Sequence, residues 1–419
     1  MFGIPGNEQS SRKERLLFSA LTDFSECAII GPIDERIEVN PKKDKEIGEI
    51  RRHIRRDRSN MTAIYGCFVS EGKEIISKFR LSTGMMPENE SDKYFALMKK
   101  VLSGSQGKNL IDISFRTQQV VDSPEHKLLT ALKDSQLKDE EALDSFYGKV
   151  MESVTMDTAY LILIGADAYD VPFKGKDDHV QADGSSEIYR YILCAVCPVK
   201  LSKAALEYKA EIKEFHDSAI TQVLNAPVLG FLFPAFDGRS TNLYNALLYS
   251  KDTGDNHEAF VSAIFNTEPY QTAKEQKQSF EALLGNALEE ECSLDIVQAV
   301  HSEIGSMIQM HKESKEDEPL MLGKEEVQAV LQQNGVSEAA LSKFSVDYDE
   351  AFGFETQLHP KNVIDQKKFE IKTPDVTIKV NPERSDLIET RVIGGVKYIL
   401  ICADESVEVN GVSINIKED

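Results

Sequence analysis

The chain is short of long apolar runs, of clustered cysteines and of positive charge. No segment approaches the ~20 consecutive apolar residues of a membrane span. The one leader-like piece, RKERLLFSALTDFSE, has an apolar run of about six residues before Asp23, below the roughly 7 to 15 of a secretory core. Six cysteines (Cys27, Cys67, Cys194, Cys197, Cys292 and Cys402) stand far apart, with no dense disulfide framework. Together these absences predict a soluble, cytoplasmic protein with reduced thiols and no membrane partner. There is no repeat at solenoid or propeller periods either.

Basic residues are scarce in a particular way. The net charge is −22, yet residues 1–60 hold 12 Lys+Arg against 11 Asp+Glu, leaving 36 against 59 for the rest. An acidic body repels nucleic-acid phosphates, so any DNA contact must use a local basic patch.

What is present reads as globular. The 419 residues, 41% hydrophobic and 28% charged, suffice for a core without staples. The predicted class is α+β, with a largely antiparallel sheet in a mixed α/β body. Four regions are expected: a loosely ordered extension (1–42), the body (43–256), a helical section (257–355) and a small C-terminal β module (356–419).

Within the body, Ile47, Ile50 and Ile54 predict an amphipathic helix from Asp44 to Arg58. MTAIYGCFVS and IISKFRLST predict a hairpin, and YLILIGA and YRYILCAVCPV adjacent central strands. The residues between those strands, YDVPFKGKDDHVQADGSSE, read as a polar loop, whereas LEYKAEIKEFHD reads as more sheet. Further on, Ser293 caps a helix striped with Val297, Val300, Ile304, Met307 and Ile308, and Gly335 and Gly353 stop the two helices that follow. Gly-Gly and Asn-Gly pairs mark two tight hairpin turns in the tail.

Several polar clusters invite chemistry, and each has a plainer reading. In NPERSD (residues 381–386), Asn381 and Pro382 suit a type I turn, so the expectation is a bend. SGSQGKN lacks the P-loop pattern, because Leu102 and Asn109 stand where glycine and Ser/Thr are needed, and helix termination at Gly104 or Gly107 is expected instead. A nucleophile elbow at Ser105 needs strand then helix, the reverse of the order here. Cys194 and Cys197 form C-x-x-C in a strand, three residues apart and so on opposite faces, which predicts buried thiols. His216, Asp217 and Ser218 are sequence neighbours that diverge, expected to end a strand and open a helix.

Two clusters are retained as sites. Arg51, Arg52, Arg55, Arg56 and Arg58 form a basic face that reads either as a nucleic-acid or partner-binding surface or as a patch docked on the protein's own acidic body. Asp167, Asp170, Asp177, Asp178, His179 and Asp183 follow a central strand, where carboxylates could hold a divalent cation for hydrolysis or phosphotransfer. No other cofactor is expected.

The stretches EIGEIRRHIRRDRSNMTAIYGCFVS, GKNL, LKDSQLKD, DAYDVP, YILCAVCPVKLS, GFLFPAFDGRST and KFEIKTPDVTIKVNPERSDLIETR, in order over about residues 43 to 415, resemble the Domain of Unknown Function 4317 family of bacterial proteins. That resemblance implies no activity, cofactor or catalytic residue. A weaker likeness in element order, from LDSFYGKVMESV through KTPDVTIKVNPE, is to nucleoid-associated proteins of the NdpA/YejK type and would imply nucleoid association. The leading expectation is a non-catalytic binding or scaffold protein acting on a protein partner. The alternatives are a DNA-associated protein working through the arginines and a metal-dependent enzyme at the aspartates.

Overall fold

YLILIGA and YRYILCAVCPV do form adjacent central strands, β4 (Tyr160–Lys174) and β5 (Val180–Leu201), in a computed structural model that describes residues 43–174, 180–217, 219–314, 320–354, 356–403 and 407–416. Preceding them are helix α1 (Lys43–His53), the hairpin β1 (Ala63–Val69) and β2 (Ile75–Ser82), helix α2 (Glu88–Lys100), strand β3 (Leu110–Ser114), and helices α3 (Thr117–Asp122), α4 (Pro124–Asp134) and α5 (Glu140–Ser153). After β5 come β6 (Leu206–Lys209), β7 (Glu214–Asp217), β8 (Gln222–Leu224), β9 (Leu229–Phe233), β10 (Ala235–Asp237), β11 (Ser240–Asn242) and β12 (Asn245–Ser250). The main sheet runs β2-β1-β4-β5-β9-β12-β3, with β8 on the end of β5, and its pairings are antiparallel.

Helices cover both faces of this sheet, which explains why its central strands read as unbroken apolar runs. One face packs Cys67, Ile162, Cys194, Phe231 and Leu248 against α4, α5 and helix α6 (Glu258–Phe265). The other packs Leu163, Ala195, Cys197 and Tyr249 against α1 and α2. Ile47, Ile50 and Ile54 all enter that second core as their spacing predicts.

The next helices are α7 (Ala273–Leu288), α8 (Leu294–Ser314), α9 (Lys324–Gln333), α10 (Glu338–Phe352) and α11 (Pro360–Val363), which share a core of their own. Ser293 Oγ accepts from Ile296 N at the start of α8, and the stripe buries Val300, Ile304 and Ile308 with Val297 and Met307 half-buried. Gly335 (φ 82°) and Gly353 (φ 96°) follow α9 and α10 in the left-handed region that favours glycine. The tail forms three separate hairpins: β13 (Phe369–Lys372) with β14 (Thr377–Val380), β15 (Ile388–Ile393) with β16 (Val396–Ile401), and β17 (Val407–Val409) with β18 (Val412–Ile414). Gly394-Gly395 and Asn410-Gly411, all at positive φ, make the two-residue turns.

Four expectations need correction. Helix α1 stops at His53 rather than Arg58, because residues 55–59 turn back (Ser59 N to Arg55 O, 2.8 Å) and Asp167 captures Ser59 and Asn60. The expected polar loop at 169–187 is strand backbone through Lys174 and again from Val180. Residues 206–217 leave the sheet as a separate two-stranded ribbon. With Lys209, Lys213, Glu207, Glu211 and Glu214 in this stretch, it cannot be placed between two helical layers without burying unpaired charge. No helix follows Asp217: Ser218 lies outside the described residues, and β8 begins at Gln222.

Candidate functional site

The densest polar constellation sits where α1 meets β4 and β5. Asp167 has a fully buried side chain. Its Oδ2 accepts from Ser59 Oγ (2.7 Å) and Tyr191 OH (2.9 Å), and its Oδ1 from the backbone N–H groups of Asn60 and Ala168 (both 2.8 Å). His53 Nε2 lies 3.3 Å from Oδ2, at ion-pair distance but without hydrogen-bond alignment. A buried carboxylate is tolerable when donors surround it, and these donors all belong to the protein. Asp167 therefore pins the chain after α1 to the sheet, with its oxygens already engaged.

The other members of that aspartate cluster are not gathered around it. Asp170 is exposed, three residues along β4 and so on the opposite face. Asp177, Asp178 and His179 lie outside the described residues, and of Asp183 only the strand backbone is described. Among the described residues, no three His, Cys, Asp or Glu side chains are placed to hold a metal ion.

A second network lies alongside. Glu49 receives Tyr169 OH at Oε1 (2.5 Å) and Arg239 Nη1 at Oε2 (2.7 Å), while Arg239 Nη2 donates to Pro172 O (3.0 Å). Glu46, one turn earlier on α1, accepts from Arg239 N (2.9 Å). Burial raises the Glu46 carboxyl above its ordinary range, opposed by that backbone bond, and burial, reinforced by the bond to Glu49, raises the Tyr169 phenol. Arg239 is held at φ 61° in the turn after Gly238. Glu46 and Glu49 are visible in the sequence beside the arginines. Their partner stands 190 residues away from Glu49, which no local pattern signals.

The five arginines are not carried by one helix. Arg51, half-buried, points Nη1 toward Leu102 O (3.5 Å), and Arg52 is exposed on the same last turn of α1. Arg55, Arg56 and Arg58 lie in the turn beyond. Arg56 pairs with Glu88 (2.7 Å), and Arg55 and Arg58 approach Asp57 (3.3 and 3.9 Å). Exposed pairs of this kind contribute little stability, but they lower the net positive field of the patch.

The remaining clusters are structural in geometry. Cys194 belongs to one core and Cys197 to the other, as the strand alternation predicts, and burial pushes the Cys197 thiol up to about 12 and the Cys67 thiol up to about 11. NPERSD forms a 3-10 turn (Pro382–Leu387) with Asn381 Oδ1 accepting from Glu383 N, and Gln298 of α8 donates to Ser385 O (2.8 Å). Gly104 and Gly107, at φ 122° and 68°, follow the end of α2. The His359 ring packs against Gly107, and Asn362 donates to its carbonyl (2.8 Å), so this loop also seats α11.

One constellation escaped sequence reading. Ser250 Oγ lies 2.8 Å from His257 Nε2, and His257 Nδ1 lies 3.2 Å from Asp255 Oδ2, the atom pairing of a serine-hydrolase triad. Yet Ser250 is buried, and its hydroxyl donates to Asp252 O at 2.6 Å. A nucleophile must be reachable and must give its proton to the histidine, and here neither condition is met. The three side chains instead clamp the connection between β12 and α6. The spacing S-x4-D-x-H was the signal available, and its meaning depends on a loop conformation that includes His257 at φ 48°.

Exposed apolar side chains are the other feature. Among the described residues 27 large ones are exposed, of which seven fall within residues 201–223 and eleven within 376–416. Both stretches are hairpins outside the main sheet, apart from the end of β5 and β8 at the root of the first.

Residues 42–412 match the family model described as Domain of unknown function (DUF4317), and the chain belongs to that family. No curated protein and no solved structure matches, so the likeness to nucleoid-associated proteins gains no support.

Proposed function

We propose that this member of the DUF4317 family is a non-catalytic binding or scaffold protein that works in the bacterial cytoplasm through protein contacts. The observation that carries the proposal is the gathering of exposed apolar residues on hairpins, chiefly Val392, Ile393, Val396, Tyr398 and Ile401 of β15–β16 and Val409, Val412 and Ile414 of β17–β18. Apolar surface concentrated on projecting ribbons, while the helix-covered sheet is dry, is the pattern of a surface that another protein covers. Two further observations agree. Asp167 and Ser250 are engaged in internal hydrogen bonds, and Cys67, Cys194 and Cys197 are buried. Cys67, Cys194 and Cys197 are unpaired, as a reducing compartment expects, and no helix among the described residues is long and apolar enough to cross a membrane.

Co-purification from the native cell, with mass spectrometry of bound proteins, nucleic acid and metals, tests this. Proteins recovered with the wild type should be lost from an Ile401→Glu/Val412→Glu variant. Recovery of the same proteins with that variant, or of nucleic acid alone, contradicts the proposal.

A further inference from the structure

We infer that the ribbon of residues 199–224 pairs this protein with a second copy of itself; the inference rests on the binding role just proposed and names the occupant of one of its surfaces. The ribbon is continuous with the centre of the sheet. β5 pairs with β8 as Val199↔Leu224, Lys200↔Val223 and Leu201↔Gln222, and β6 pairs with β7 from Leu206↔Asp217 to Lys209↔Glu214. Four residues on each strand separate the two ladders, so the register runs through in step. Ser202 N donates to Thr221 O (2.8 Å) and Thr221 N to Ser202 Oγ (3.0 Å) across the join. A central strand of the sheet thus extends outward as an arm.

The tip of the arm is two-faced. Leu206, Tyr208 and Phe215 share one side, with the Tyr208 and Phe215 rings 5.3 Å apart and Asp217 at its edge across from Leu206, and Glu207, Lys209, Glu214 and His216 share the other. The apolar side is open: Leu206 is 68% and Phe215 64% exposed. A lone two-stranded ribbon is at best marginally stable in water, so this face requires a cover.

Charge and area select the cover. Residues 199–224 carry four lysines (Lys200, Lys203, Lys209, Lys213) and four acids (Glu207, Glu211, Glu214, Asp217), a net charge of zero within a chain of −22. A twofold contact sets a surface against itself, so it cannot use a surface with charge of one sign. Two acidic bodies repel each other, and a neutral projecting arm lets copies meet away from that repulsion. On the apolar side Leu206, Tyr208, Phe215 and Val223, with Ile212 at the tip, are exposed and together offer on the order of 600 Å², the larger part of the ~800 Å² each partner gives to a stable interface.

Sedimentation velocity of the purified full chain over a wide concentration range tests the pairing. The wild type should run at twice the 46.9 kDa chain mass. A Tyr208→Glu/Phe215→Glu variant should be monomeric, with its dissociation constant raised ~100-fold or more and its far-UV circular dichroism still that of a folded chain, since neither residue enters the described cores. Should the charges disturb folding, Phe215→Ala alone should weaken pairing about tenfold. Lys209→Ala, on the opposite face, should leave it intact. Added salt should strengthen or preserve the dimer by screening the bodies. A wild type that stays monomeric, or a dimer untouched by the Tyr208 and Phe215 changes, overturns the inference. The binding role stands or falls separately, on whether the C-terminal hairpin variant loses its co-purifying proteins.

Discussion

Ser250 and His257 stand in hydrogen-bond contact, Oγ to Nε2 at 2.8 Å, at the point where the last strand of the sheet hands over to helix α6. The contact closes a loop; it does not arm a nucleophile, because the hydroxyl proton goes to the Asp252 carbonyl. An active-site fluorophosphonate should therefore leave Ser250 unlabelled in the native protein. His257→Ala should cost about 1–2 kcal/mol in urea unfolding, the scale of one or two lost buried hydrogen bonds.

The same histidine gives a pH dependence. Burial holds its pKa below the ordinary value of 6.5, against the pull of Asp255 and Asp252. The unfolded chain therefore takes up the proton at a higher pH than the folded one. The stability tied to neutral His257 is present above pH 6.5 and is lost as pH falls through the lower folded value. Between pH 7 and pH 5 the wild type should lose more stability than His257→Gln, read as the difference in urea midpoints; equal losses contradict the assignment.

Much of this architecture was legible in the sequence, and the part that was not has a common cause. The two-residue period placed Cys194 and Cys197 in different cores, the Gly-Gly and Asn-Gly turns were set by their own backbone needs, and Ser293, Gly335 and Gly353 marked helix ends through local hydrogen bonding and φ. By contrast, the end of α1 at His53 depends on Asp167, more than a hundred residues later, and Glu49 depends on Arg239. Arginines 51–58 read as one helical face because nothing nearby in the sequence reveals that the helix stops at His53. The stretch 206–217 reads as sheet because its alternation is that of any half-buried strand, and the sequence does not say which element will cover it.

Asp167 provides a sharp test of the α1 seat. Asp167→Ala leaves Ser59, Tyr191 and the Asn60 N–H without their acceptor, and should destabilise the fold by roughly 3–5 kcal/mol. Asp167→Asn keeps part of the acceptor set and should cost less. Chemical denaturation orders the three proteins, and equal stability of Asp167→Ala and wild type would show that the buried carboxylate is not the pin.

Arg239 should tolerate no simple exchange. Its guanidinium reaches Glu49 and Pro172 O with separate nitrogens, which a lysine ammonium cannot reproduce. Arg239→Lys should lower stability by about 1–2 kcal/mol. Glu49→Gln should reduce the extra cost of Arg239→Lys, since the two residues act as a pair and a double-mutant cycle measures that coupling.

Thiol labelling should sort the cysteines by burial. Cys292 and Cys402 are exposed, whereas Cys67, Cys194 and Cys197 lie within the cores with raised pKa values. At neutral pH the first two should react at once and the last three only under denaturant. Prompt reaction of Cys194 in the native protein would place the sheet core in contact with solvent.

The most direct measurement is hydrogen exchange on the protein recovered from its own cells with its partners, compared with the purified chain alone. Protection gained on binding should fall on residues 388–401 and 407–414, while residues 206–217, already covered in the paired chain, should be equally protected in both samples. Protection that instead gathers on residues 51–58, or around Asp167 and Asp170, would contradict a protein that works through its apolar hairpins.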